Sequence, residues 1–334
     1  MNQELISIVI PVYNLEERIQ QTLECLCSQT YSDIEIVVVD DGSCDSSVEI
    51  IRSCQKKDSR IRLIKQKNRG ALQARLNGVK NVSGSWVCFV DGDDLVDMEM
   101  CSRMMNLTRI GSPQIVVMGE QMKYPDGRTV PLYGTGELKI YTGTDGLLVL
   151  LEGRKMEPGL HGKLYRKALF TDEVIEKCQM MDIRVNEDLF LNYLLFLEAK
   201  KIVHQDLTIY TYLLRSGSVT QQKSERQLFD PLKVLRWIYE DCRGDESLAS
   251  LQTVSLERLI RHCLFMVRQK EYVQASAEGK RTIQKLLMEN SRVSVGDRQL
   301  QIQIRLFQIS PGLFSLFRNI FDRVTGRDRI YDIS

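Results

Sequence analysis

The chain has 334 residues, 43% of them hydrophobic, which is enough for one large domain or two ordinary ones with a sizeable core. Its 45 Lys and Arg against 44 Asp and Glu leave a formal charge of +1, so no global field argues for nucleic acid as a partner. Nine scattered cysteines with no C-x-x-C pair, beside three histidines, support neither a zinc site nor a disulfide framework and fit reduced thiols in a cytosolic protein.

The opening "MNQELISIVIPVYN" has no basic lead and no small-residue cleavage pattern, so residues 5–10 read as a first strand and not as a signal peptide. Apolar or β-branched runs recur at 34–39, 61–64 and 86–90, separated by helical spacing over Leu15–Cys27 and Asp45–Gln55. Such alternation predicts an α/β fold with a parallel sheet covered on both faces, and ligands in such sheets bind at the carboxyl ends of the strands. Pro11–Asn14, Asp40–Ser43 and Asp91–Asp94 each follow directly on a strand and are predicted along one rim. Beyond Gln114 the alternation weakens. "QIVVMG" predicts one more strand, "KYPDGRTVPL" a hairpin around Asp126 and Gly127, and 144–152 and 186–199 two helices. Residues 225–290 are helical throughout, which predicts an α/β domain over 1–222 and a separate helical region over 223–334. No run reaches the roughly eighteen apolar residues needed to span a bilayer, so the chain is not expected to cross a membrane.

Two buried strands end in acid, "VVVDDGS" at Asp40 and Asp41 and "FVDGDDL" at Asp91, Asp93 and Asp94. Crowded carboxylates rise in pKa unless a cation or hydrogen-bond donors compensate, and Mg²⁺ or Mn²⁺ suits carboxylates plus phosphates. A solvated Asp-Gly turn would give the same letters. Neither the G-x-G-x-x-G fingerprint nor a P-loop follows strand one. The Asp-x-Asp of a phosphatase with an aspartate nucleophile would lie on the first strand, and a response-regulator receiver is about a third of this length.

Taken in order, "SIVIPVYNLEERIQQTLECLCSQTYSDIEIVVVDDGSCDSS", "NRGALQARLNGV" and "FVDGDDLVD" resemble glycosyltransferase family 2, the inverting nucleotide-sugar transferases of GT-A fold. The match is strong over the first 100 residues and weaker through "HGKLYRKALF", "NEDLFLNYLLF" and "YTYLLRSGSVT" to about residue 220. The resemblance implies a Rossmann-like, mixed but mostly parallel sheet flanked by helices, with a C-terminal helical region. It implies that Pro11, Val12 and Asp40 form the uracil-binding edge, that Asn68 and Arg75 approach the nucleotide, with Arg75 on a phosphate, and that Asp91 and Gly92 face ribose or sugar. Asp93 would ligate Mn²⁺ or Mg²⁺ bridging the diphosphate. Asp188 would be the base that takes the acceptor hydroxyl's proton, supported by Glu187, although acids in a first helical turn also simply complement the helix dipole.

His161 and Lys163 could touch diphosphate or acceptor, or simply pack. Arg215, Ser216 and Ser218 resemble an R-x-x-S segment, and Tyr13 could cover the base, although an aromatic beside a strand end is more often core. "KVLRW" has Lys233 where processive synthases have Gln, so Arg236 and Trp237 read as ordinary helix residues and the chain as a single-sugar transferase. The implied partners are a UDP-sugar and a saccharide or lipid-linked saccharide acceptor, in capsule, O-antigen or exopolysaccharide assembly. The alternative is a catalytically silent binding module of an assembly complex. Near 311–325, Leu313, Leu316, Phe317, Ile320 and Val324 share one helical face, with Arg318 and Arg323 nearer the other. That is the pattern of a helix in a membrane interface, or of one packed on its own core, so a peripheral place on the inner face of the plasma membrane is an expectation.

Overall fold

The computed structural model describes residues 4–132, 134–214, 224–289 and 295–325. The chain divides into two compact units, Met1–Arg215 and Ser216–Ser334. The predicted boundary at 222/223 falls outside the described residues, as do Arg215, Ser216 and Ser218.

The first unit contains strands β1 (Ile6–Val12), β2 (Ile34–Asp40), β3 (Ile61–Lys65), β4 (Trp86–Phe89), β5 (Leu95–Val96) and β6 (Ile115–Lys123). It continues with β7 (Thr129–Pro131), β8 (Leu138–Thr142), β9 (Lys163–Arg166) and β10 (Lys201–Leu213). Its helices are α1 (Ile19–Cys27), α2 (Ser47–Lys57), α3 (Ala71–Lys80), α4 (Met100–Leu107), α5 (Gly143–Glu152), α6 (Asp172–Met180) and α7 (Glu187–Glu198). The sheet order is β3-β2-β1-β4-β9-β6-β10-β5, with β7 on β6 and β8 on β10. β3, β2, β1 and β4 run parallel, as do β6 and β10, whereas β9 is inserted antiparallel between β4 and β6. The sheet is thus mixed and, counted by paired residues, mostly parallel.

β2 is buried at every position and β1 at all but Pro11, because strands covered on both faces need continuous apolar runs. The predicted hairpin is present, with Lys123 opposite Thr129. α1 starts later than the spacing predicts. Leu15–Arg18 is instead a turn, its amides held by the neighbouring loop: Leu15 N donates to Ser47 Oγ at 2.8 Å and Glu16 N to Asp45 Oδ2 at 3.0 Å. β10 carries register shifts around Thr208. Such bulges re-aim a strand, and beyond this one Tyr210 reaches the acidic end of β4.

The second unit is helical: α8 (Arg226–Gly244), α9 (Gln252–Arg268), α10 (Val273–Glu289), α11 (Arg298–Ile309) and α12 (Pro311–Thr325). Its core includes Leu235, Ile238, Leu259, Cys263 and Ile283. Arg236 pairs with Glu278 of α10 at 3.1 Å, an ordinary helix–helix ion pair. All nine cysteines are free thiols.

α3 lies tightly on the sheet at Gly78, where an added Cβ would stand 2.4 Å from Val9 Cγ1 and 3.3 Å from Val39 Cγ2. Gly78→Val is expected to overpack this contact and destabilise the protein by about 1–3 kcal/mol, read as a lowered urea midpoint at unchanged m-value.

Candidate functional site

The parallel register puts Val12 beside Asp40 and Val9 beside Phe89, so the loops after β1, β2 and β4 emerge side by side on one rim, as predicted. The first two loops are stitched together. Asn14, at φ 51°, donates its amide to Ser43 Oγ at 3.0 Å and accepts from Cys44 N at 2.9 Å through Oδ1. Pro11 is half-buried and Val12 buried at this edge, while Tyr13 is 49% exposed, so the core reading of that aromatic does not hold.

The paired acids behind β2 divide in function. Asp41 is fully occupied: Oδ1 accepts from Gln66 Nε2 and Arg69 N, and Oδ2 from Gly70 N, all at 2.8 Å. These bonds hold the 66–70 loop against the rim, where Gly42 (φ 81°) lies so close that a Cβ would be 3.0 Å from Asn68 N. Asn68 itself is exposed and accepts from Arg184 Nη1 at 3.4 Å. Asp40 is 0% exposed, yet it accepts only from Ser43 N, at 3.1 Å through Oδ1. Its Oδ2 has no partner among the described residues.

Arg75, buried in α3, stands at the centre of the site. Its Nη2 donates to Asp91 Oδ1 at 2.7 Å, and its Nη1 donates to Asp188 Oδ1 at 2.8 Å and Glu187 Oε1 at 3.3 Å. The guanidinium expected at a phosphate is therefore the shared counterion of both acidic motifs. Burial alone would raise the Asp91 pKa, and Arg75 with His161 overcomes it and holds the carboxyl below its ordinary value. Burial, then Asp188, push Glu187 up to about 8 against the pull of Arg75. Of the two acids opening α7, Glu187 has a side chain 12% exposed and Asp188 27%, so Asp188 is the more open. Asn186 before them is left-handed at φ 65°.

At the end of β4, Gly92 is buried, where a Cβ would meet Leu15 Cδ1 at 2.8 Å, and Asp93 is half-buried. Asp94 is buried and structural. It accepts from Tyr210 Oη at 2.7 Å and Leu213 N at 2.9 Å, and burial, then Asp91 and Asp93, raise its pKa well above the ordinary value. Tyr210 Oη also accepts from Asp91 N at 3.1 Å. His161 stacks on Tyr210 with centroids 4.8 Å apart and pairs through Nδ1 with the buried Glu120. Burial opposes its charge, but Glu120 raises it to about 9. Lys163, lowered to about 8 by burial, donates to the carbonyls of Glu157 at 2.7 Å and Gly159 at 2.5 Å and so braces its own loop.

Glu120 and Tyr210 are the members of this network that sequence reasoning missed. The alternating "IYTYL" was the available signal for Tyr210. Among the described residues no group of three or more His, Cys, Asp or Glu forms a metal cage. The donor chemistry at Asp93 and Asp91 instead suits an ion held by one or two carboxylates and completed by ligand phosphates.

Residues 7–170 match the family model described as glycosyl transferase family 2. Glycosyltransferase GlyG of Streptococcus pneumoniae serotype 4 is 31% identical over 232 residues, 65% of this chain and 73% of that protein. Glycosyltransferase GlyA of the same organism is 31% identical over 229 residues, 66% of this chain, which spans only 32% of that relative's length. Among solved structures, S. aureus TarS 1-349 in complex with UDP-GlcNAc superposes with a TM-score of 0.70 at 20% identity, covering 93% of this chain and 88% of that one. Mannosyltransferase PcManGT from Pyrobaculum calidifontis, in complex with GDP-Man and Mn²⁺, gives 0.53 at 13% identity over 96% and 88%. These two likenesses show a GT-A fold.

A carboxyl raised by burial binds its proton more tightly folded than unfolded, so it subtracts from stability as pH rises from the unfolded pKa, about 4.5, to the folded one, about 8. Glu187→Gln removes that dependence. It is therefore expected to gain stability relative to wild type on going from about pH 5 to pH 8, by a kcal/mol or more in urea titrations. Arg75→Met, which leaves the acids Asp91, Glu187 and Asp188 without their shared counterion, should cost about 3–5 kcal/mol in the same assay at neutral pH.

Proposed function

This chain belongs to glycosyltransferase family 2, and from that premise we propose that it moves a single hexose, with inversion, from a UDP-sugar to a saccharide or lipid-linked saccharide acceptor in cell-surface polysaccharide assembly. The observation that carries the reading is Asp40 Oδ2, a buried carboxylate oxygen at the rim with no partner among the described residues. Such an acceptor costs free energy until a donor fills it, and the ring N–H of uracil is a donor of that kind. Pro11 and Val12 flank it at the ends of the paired strands and form the edge for the base. Asn68, exposed on the loop fixed by Asp41, would approach the nucleotide. The UDP-GlcNAc of the TarS complex supports the choice of donor class.

In this reading Asp188 is the base, as the more open of the two acids at the start of α7. It takes the proton of the acceptor hydroxyl as that oxygen bonds to the anomeric carbon and the bond to the diphosphate breaks. Glu187, the more buried of the two, accepts from Arg75 within the same bracket and supports Asp188. Arg75 fixes the distance from Asp91, on the sugar side with Gly92, to Asp188 on the acceptor side. Asp93 would hold Mn²⁺ or Mg²⁺ together with the diphosphate, and that ion would supply Lewis-acid neutralisation of the leaving group. The Mn²⁺ in the PcManGT complex supports a divalent ion.

Calorimetry with UDP and Mn²⁺ tests the donor half. Asp40→Asn is expected to weaken binding about tenfold, the worth of a hydrogen bond to a charged group, and no UDP binding by the wild type overturns the donor. Asp188→Asn should bind UDP as the wild type does and lose about 100-fold or more in sugar transfer, whereas a variant that keeps its rate removes Asp188 from the role of base.

A further inference from the structure

α12 is built inside out. Its contacts with its own unit run through Phe314, Ser315 and Asp322, all buried, and Asp322 is ion-paired with Arg268 of α9 at 2.8 Å and Arg318 at 3.0 Å. Leu313, Leu316, Phe317 and Ile320, which a helix packed on its own core would turn inward, are 49, 58, 44 and 55% exposed. At about 100° per residue these four share one sector of the helix, opposite Ser315 and Asp322. The side chains of Arg323 and Val324 lie outside the described residues.

α11 extends the same character. Arg298, Ile302, Arg305 and Ile309 stand at i, i+4, i+7 and i+11, one helical stripe, and all are exposed, Ile302 at 51% and Ile309 at 72%. From Arg298 to Phe321 the sequence holds no aspartate or glutamate and three arginines, of which Arg318 is held by Asp322 while Arg298 and Arg305 are exposed. The first acid after them, Asp322, is buried in its ion pairs.

We propose that the exposed stripes of α11 and α12 dock on an anionic lipid bilayer, with the apolar side chains in the headgroup–acyl boundary and the guanidinium groups of Arg298 and Arg305 on lipid phosphates. The charge pattern selects this occupant. Arg298 and Arg305 are exposed beside the apolar stripe in a stretch without acids, so guanidinium groups can reach anionic headgroups while the apolar side chains enter the boundary, as in an interface-lying helix. Among the described residues no helix is long and apolar enough to cross a membrane, so the two helices lie in the plane of the surface. Nothing in this inference depends on the donor or the base.

The full chain is sedimented with phosphatidylglycerol-containing vesicles and with pure phosphatidylcholine vesicles, and its mass is measured in solution. The wild type should partition onto the anionic vesicles only. Leu316→Ser combined with Phe317→Ser should lower that partitioning at least about tenfold, and Arg298→Gln with Arg305→Gln by a similar factor at low salt, both with an unchanged melting temperature because the side chains are exposed. Wild type left in the supernatant, or either double variant binding as wild type, overturns the proposal. So does a wild-type dimer that the serine pair converts to monomer, which would make a second copy the occupant.

Discussion

One guanidinium holds the rim together. Arg75 reaches Asp91, 16 residues on, and Glu187 and Asp188, more than 110 residues on, from a helix seated on the sheet at Gly78. Like charges about 4 Å apart repel by about 4 kcal/mol at the effective dielectric of a protein surface, so Asp91, Glu187 and Asp188 need this shared counterion to converge. Arg75 suits this task because its planar fork offers donors in fixed directions to more than one carboxylate at once. The depth of α3, the end of β4 and the first turn of α7 are thereby coupled in one electrostatic unit.

The acidic clusters follow a common division. Asp41 and Asp94 have both carboxylate oxygens occupied by protein donors and serve as internal fasteners, one for the 66–70 loop and one for β10. Asp40, next to Asp41, keeps a buried oxygen unpaired among the described residues, and Asp188 keeps a face exposed. No local pattern separates the two classes, because the deciding partners Gln66, Tyr210 and Leu213 come from elsewhere in the chain.

The strands that build the rim were legible because burial on both faces leaves an uninterrupted apolar run, as in "IEIVVVD". β9 and β10 were not. "KLYR" is too short to show a period, and "KIVHQDLTIYTYL" is broken by His204, Gln205 and Asp206 at the very place where the strand bulges. The site was legible as a set of acids on one rim, and the role of Arg75 as their counterion was not, since a buried cation and a ligand-binding one look alike in sequence. On α12 the apolar stripe was plain, but periodicity describes a face and says nothing of what covers it. Only the inward turn of Asp322 shows that the stripe looks outward.

The open oxygen of Asp40 also has a negative side. A carboxylate can accept a hydrogen bond and cannot offer one while ionised, so a ring nitrogen presenting a lone pair to this buried oxygen would meet repulsion. In the proposed donor site, recognition at this edge would therefore work partly by refusal. If this edge takes the donor's base as proposed, an imide-type base is admitted, whereas cytosine, with a ring-nitrogen lone pair in place of the imide N–H and an amino group in place of a carbonyl, is disfavoured.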